Sequence, residues 1–300
     1  MAPPYNMFEN SGGRGAEDSS TAVFRALRAG GDTHVWWWRQ PLRTDPADLA
    51  LLNTEEFRQA LCLHSERDAA AYVHTRATAR RAIGELLDVA PEDVDIEKPQ
   101  CPVCGDPGHG PTRLSRPDVP LAISLGRTGG HTVLAVGTGA TIGVAAEHLR
   151  PVRQDVLAES WLTADEALHL LELPRGAVRD EVFYRCWARK EAVLRALGHV
   201  PDGVRPDQIE SYPATTDTVL MHCPGTPGTP GTPGASGTPG TLGTPGEQHP
   251  DGRTAWVVRD LALSGRAAAA VAQPAGTEPA CGPVRTHLPG GTARPLPGAP

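Results

Sequence analysis

Apolar residues recur along this chain in two rhythms, one fitting strands and the other fitting helices. His34-Val-Trp-Trp-Trp38 reads as an aromatic strand that Pro41 ends, and three adjacent tryptophans need at least two buried faces, which puts that strand in a core. From Glu55 to Leu87 the pattern is helical; Ser65-Glu-Arg67-Asp opens a long helix and Ala90-Pro91 closes it. Val94 to Glu97 is a short strand, and Leu121 to Leu125 is another, ended by Gly126-Arg127-Thr128-Gly129-Gly130. Thr132 to Val136 and Thr141 to Val144 form a hairpin-like pair around a Gly137–Ala140 turn. Asp155 to Leu173 and Asp180 to Leu197 are helical. Ile209 to Tyr212, Val219 to His222, Ala255 to Val258 and Ala268 to Ala272 complete the strands.

Low-complexity segments interrupt this pattern. Residues 1–32 are small, polar and Gly-rich and read as a mobile arm. From Gly225 to Gly246 glycine recurs at every third position; a collagen triple helix needs three chains and longer runs, so residues 223–250 read as an extended, solvated insertion between two strands. Residues 274–300, rich in Pro and Gly, read as a disordered tail.

Composition narrows the function classes. The 300 residues carry a net charge of −7, which argues against a nucleic-acid binder. No apolar run approaches the ~20 residues of a membrane span, and the first 31 residues lack a basic start followed by an apolar stretch. With no export signal, the six scattered cysteines are expected to be reduced thiols in a cytoplasm. Cys101-Pro-Val-Cys104 with His109 is half of a zinc site; no second ligand pair follows it, so a thiol-bearing turn is the expectation.

The chemistry concentrates in Trp187-Ala-Arg-Lys190-Glu191-Ala-Val-Leu-Arg195-Ala-Leu-Gly198, a run of helix formers with a glycine where a C-cap belongs. Glu191 and Arg195 are four apart and share a face; alone, such a pair is an exposed ion pair worth about 0.3–0.5 kcal/mol. The whole stretch W-x-x-K-E-A-x-x-R-A-x-G resembles the signature helix of the 4'-phosphopantetheinyl transferases. A second segment, Ile142-Gly143-Val144-Ala145-Ala146-Glu147-His148-Leu-Arg150-Pro151, resembles that family's G-[VI]-D-[VI]-E strand, with Ala145 where the aspartate belongs. Val94-Asp95-Ile96-Glu97 spells the missing motif, but it lies about 50 residues too early and reads as a solvated strand edge.

The resemblance runs from about His34 to Ala272 without the insertion. It implies an α+β, pseudo-twofold, two-lobed fold, each lobe a small sheet with a long helix, of the monomeric surfactin-synthetase-activating type. The lobes would be residues 33–140 and 141–273, with coenzyme A in the cleft between them. The implied reaction moves the phosphopantetheine arm of coenzyme A onto a serine of an acyl or peptidyl carrier protein, with Mg2+. Glu147 and Glu191 would bind the metal, Glu191 would act as or position the base, and Lys190 and Arg195 would face the phosphates. Arg127 and Thr128 stand where relatives carry a Ser-His step that binds a phosphate; a hairpin end is the other reading. Arg67, Arg76, Arg80 and Arg81 would meet the nucleotide end or form a basic solvent face. Arg113 would stand in for a lysine of a G-K-P turn. Trp187 packs, and His148 has no role. Ala145 leaves two readings: a transferase with a weaker metal site, or an inactive homologue that binds coenzyme A or carrier protein.

Overall fold

The computed structural model describes residues 12–98, 112–152, 161–198, 204–224, 253–263, 266–276, 283–287 and 294–295, with backbone alone for 12–20 and 294–295. The segment Cys101–His109, most of the Gly-Thr-Pro tract and much of the C-terminal tail lie outside these residues.

The first lobe begins with the tryptophan strand β1 (Thr33–Arg39). Two short helices, α2 (Pro46–Leu49) and α3 (Thr54–Leu61), lead into α4 (Glu66–Leu87). Asn53 and Glu56 close a capping box on α3, and Ser65 caps α4 by accepting from the Asp68 amide. Strands β2 (Asp95–Glu97), β3 (Arg113–Arg116), β4 (Ala122–Thr128) and β5 (His131–Gly137) follow. Trp36, Trp38, Ile123, Leu134 and Val136 pack against Ala79, Ala82, Ile83 and Leu87 of α4. All three tryptophans are buried. Each removes about 150–250 Å² from water, on the order of 4–6 kcal/mol of transfer free energy before entropy is counted.

The second lobe repeats the plan. Strand β6 (Gly143–His148) is followed by α5 (Ala164–Glu172), α6 (Ala177–Ala196), β7 (Thr218–Cys223), β8 (Thr254–Asp260) and β9 (Ala267–Pro274). With β10 (Val284–His287) and β11 (Arg294–Pro295) from the C-terminal region, the sheet orders are β11-β10-β1-β5-β4-β3-β2 and β6-β9-β8-β7. Within the first, β1-β5-β4-β3 matches β6-β9-β8-β7: in both lobes the opening strand pairs with the last, and a long helix covers the sheet. This is the two-lobed α+β architecture. The tract 225–252 joins β7 to β8, which pair antiparallel.

Helix α6 lies on β6 at close range because the contact is built from small residues. A Cβ at Gly143 would fall 1.9 Å from the Ala192 carbonyl oxygen, and Ala145 packs with Ala188 and Ala192. Alternation along the strand then divides β6. Gly143, Ala145 and Glu147 face α6, while Val144 and Ala146 join Val35, Trp37, Val133 and Ala135 in the core between the two sheets.

Several expectations are corrected. Strands β5 and β6 do not form a hairpin; they belong to different sheets, because β5 is claimed by β1 and β4 on either side. The strand expected to end at Leu125 continues to Thr128, and only Gly129 and Gly130, with φ of 49° and 80°, make the turn. Ile209–Tyr212 is irregular. The supposed arm contains a helix, α1 (Gly12–Gly30), whose Phe24 enters the core under α4. The supposed tail contains β10 (Val284–His287), parallel to β1, and β11 (Arg294–Pro295), antiparallel to β10. Val284 is buried between the sheets, which is what holds that strand despite its Pro- and Gly-rich surroundings.

Candidate active site

Strands β4 and β6 meet edge to edge at the joint between the lobes, tied by side chains instead of a ladder. Ser124 Oγ accepts from the Val144 amide at 3.1 Å, and Thr128 Oγ1 accepts from the His148 amide at 3.0 Å. Arg195 of α6 enters the same joint. Its Nε donates to Glu191 Oε1 at 3.0 Å, and its Nη1 donates to the Leu125 and Val144 carbonyl oxygens at 3.1 and 3.3 Å. Glu191 and Arg195 are therefore more than a surface pair: each side chain is about two-thirds buried, at 28% and 33% exposed.

Glu147 stands at the far end of β6 on the face turned to α6. Arg150 donates to it at 3.1 Å and, through Nε, to the Tyr184 hydroxyl at 3.0 Å. The two acids named from the sequence thus border the same strand–helix layer, each held by an arginine. Ala145, 2% exposed, lies on that face beside Ala188 and Ala192 and offers only a methyl group.

Lys190 is not at this site, a correction to the expectation that it faces phosphate. One residue from Glu191 along a helix is about 100° around it, and that turn carries Lys190 into the core. Its Nζ donates to the Trp161 carbonyl at 2.7 Å and pairs with Glu166, both side chains at 0% exposure. Arg76 is likewise spent elsewhere: it pairs with Glu56 and donates to the Ile96 carbonyl. Arg80 joins Glu56 and Asp95, Arg81 joins Asp48, and Arg113 pairs with Glu97 across β2 and β3. Thr128 is buried, and its hydroxyl serves the lobe joint. Trp187 packs as read, stacked on Trp161 at 3.7 Å.

Arg67 has the opposite fate. It borders a cleft of 670 Å³ lined by Arg39, Gln40, Pro41, Leu42, Gly129, Gly130, His131 and His148. The cleft opens at the Gly129–His148 end of the β4–β6 joint, on the face of β6 opposite Glu147. Neither Arg39 nor Arg67 has an ion-pair partner among the described residues, and Arg127 is exposed on β4 nearby. Trp37, His131 and His148 stack in series, with centroids 4.7 and 5.6 Å apart. Burial holds His131 below the ordinary histidine pKa, with His148 and Arg39 adding to it, so the ring is neutral at pH 7. Gly129 is required twice, by its positive φ and because a Cβ there would meet the His148 ring at 2.8 Å.

Arg39, His131 and His148 are the residues that the sequence pattern missed. Arg39 reads as a strand end, and His148 follows Glu147 on the opposite strand face; only the pairing of β1 with β5 and the approach of β4 to β6 bring them together. Among the described residues no group of three or more His, Cys, Asp or Glu could hold a metal by itself. Cys101, Cys104 and His109 lie outside them.

Fold and site together define a duplicated, two-lobed α+β protein with Glu191 and Arg195 at the lobe joint and a cleft bordered by Arg39 and Arg67 at the end of that joint. No family model matches the chain. It is 28% identical over 177 residues to the 4'-phosphopantetheinyl transferase HetI of Nostoc sp. (strain PCC 7120), covering 57% of this chain and 70% of that protein. It is 23% identical over 153 residues to the putative 4'-phosphopantetheinyl transferase slr0495 of Synechocystis sp. (strain PCC 6803), covering 51% of this chain and 59% of that protein. Both relatives support placing the chain with the 4'-phosphopantetheinyl transferase superfamily.

Proposed function

We propose that the protein transfers the 4'-phosphopantetheine arm of coenzyme A to a serine of an acyl or peptidyl carrier protein, acting as a monomer in a cytoplasm. The observation that carries this reading is the position of Glu191: the signature helix sets it at the lobe joint, and a cleft with two unpaired arginines opens at the end of that joint. Arg39 and Arg67, with Arg127 at the rim, are the cations for the phosphates of the nucleotide end, since guanidinium forks match phosphate oxygens. The serine oxygen forms a bond to the phosphorus bearing the pantetheine arm, the bridging P–O bond breaks, and the nucleotide phosphate leaves. The serine proton goes to a carboxylate at the joint, and Glu191 is the one held in place for it by Arg195.

The donor set also suits magnesium, which takes one or two carboxylates and fills its shell with phosphate oxygens and water. Glu147 and Glu191 would hold the ion, and its chemistry there would be to neutralise charge developing on the phosphates. A methyl group at Ala145 means that substrate and water contribute more of the shell.

Ala145 also favours a second reading, a homologue that binds coenzyme A or carrier protein without transfer, because that buried position supplies no oxygen. One experiment separates the two. The protein is incubated with coenzyme A, millimolar magnesium and an apo carrier protein, and the carrier's intact mass is followed. Gain of the phosphopantetheine mass supports the transferase; retained coenzyme A binding without that gain selects the second reading.

A further inference from the structure

We propose that Arg195 is a positioning residue for Glu191 and that Gly126 is what admits it to the joint; this rests on the transferase reading above. One guanidinium bridges three segments: Glu191 on α6, Leu125 on the first lobe's β4, and Val144 on the second lobe's β6. The planar group donates from two nitrogens at once, so the carboxylate of Glu191 is fixed relative to both lobes rather than to α6 alone.

Space for this arrangement comes from Gly126. It sits inside β4 without a positive φ, so no backbone constraint demands glycine there. A Cβ at this position would fall 2.8 Å from Arg195 Nη1, 3.0 Å from Val133 Cγ1 and 3.2 Å from the Val144 carbonyl oxygen. The missing side chain is the slot that the guanidinium occupies. Strands β4 and β6 have no ladder between them, so Arg195 is a third tie at the joint beside those of Ser124 and Thr128. It alone extends to a candidate reacting group.

A double-mutant cycle on the full chain tests this, using Gly126→Ala, Arg195→Lys and the pair. Three quantities are read: melting temperature, coenzyme A affinity by calorimetry, and kcat with KM for coenzyme A. Each single substitution should lower kcat roughly tenfold to a hundredfold, as small misplacements of reacting groups do, with coenzyme A affinity and KM within about twofold of the starting protein. The pair should melt higher than the sum of the single effects predicts, and Arg195→Lys should recover part of the kcat lost in Gly126→Ala, because the atom that the new Cβ would strike is gone. Strictly additive melting would overturn the contact between 126 and 195. Loss of coenzyme A affinity in Arg195→Lys would overturn positioning in favour of phosphate binding. Were the starting protein to bind no coenzyme A, the transferase reading would fall, while the melting cycle would still judge the tie.

Discussion

The Thr128 hydroxyl accepts a hydrogen bond from the His148 amide at 3.0 Å, and four residues back along both strands the Ser124 hydroxyl does the same for the Val144 amide at 3.1 Å. Two side chains on β4 thus satisfy amides on β6 that no neighbouring strand reaches. A buried amide left without an acceptor costs about 1–3 kcal/mol. Thr128→Val keeps the shape and removes the acceptor, so it should destabilise by about that amount, a drop of roughly 3–10 °C in melting temperature for a protein of this size. Thr128→Ser keeps the oxygen and should melt within a degree or two of the starting protein. Thermal unfolding by circular dichroism distinguishes them; equal losses in both variants would locate the effect in packing instead.

Lys190 and Glu166 form a buried pair whose other partners are all internal: the Trp161 carbonyl for the lysine, and the Thr163 amide with the Ser211 amide and hydroxyl for the glutamate. Removing one charge strands the other, at about 3–5 kcal/mol. Lys190→Met should therefore lower stability by that order in urea unfolding while leaving coenzyme A affinity of the folded fraction unchanged. A weakened affinity at constant stability would return Lys190 to the phosphates.

How much of this was legible in the chain depends on how local each feature is. The Trp187–Gly198 helix was readable because its residues meet one turn apart. The pairing of β5 was not. It is buried nearly throughout between α4 and the second sheet, so it lacks the alternation that would have told its partners from a local hairpin. The place of Lys190 is not legible from its neighbours because adjacency in sequence is divergence on a helix, and its partner Glu166 lies on α5. The arginines of α4 gave a single basic stripe, yet Glu56, Asp48 and Asp95 consume Arg76, Arg80 and Arg81, leaving Arg67 for the cleft. Val284–His287 was hidden by composition, since four residues of strand among Pro and Gly leave no periodic signal.

Strand β10 carries a pH dependence. His34 Nδ1 and His287 Nε2 are 2.9 Å apart, and His287 stacks on Trp36 at 4.6 Å. A hydrogen bond between two ring nitrogens requires at least one neutral ring. Burial lowers the His34 pKa to about 4, with His287 and Arg285 adding to the effect and Asp32 opposing it. His287 is also lowered, chiefly by burial, against the pull of Glu85. A folded pKa below the ordinary 6.5 means that the unfolded state takes up the proton first. The stabilisation is thus present above pH 6.5 and is lost as pH falls toward 4. The melting temperature should drop more steeply across that window in the starting protein than in His34→Gln. Parallel curves would show that this pair does not titrate with folding.

Ala145→Asp puts the question of the metal to the protein directly. The side chain at 145 faces α6 beside Ala188 and Ala192 and is 2% exposed, so a carboxylate there would be shut away from water among apolar neighbours. Without a divalent ion the substitution should cost about 3–5 kcal/mol, the scale of an unpaired buried charge. If Glu147 and Glu191 border a magnesium site on that face, the ion supplies the missing partner. Saturating magnesium at about a hundredfold over its dissociation constant should then restore about 2.7 kcal/mol by linkage, and transfer should saturate at lower magnesium than in the starting protein. Melting curves with magnesium and with chelator, together with the magnesium dependence of carrier modification, measure both. A variant destabilised equally in the two conditions, with no gain in transfer, would mean that the alanine face of β6 packs α6 and holds no ion.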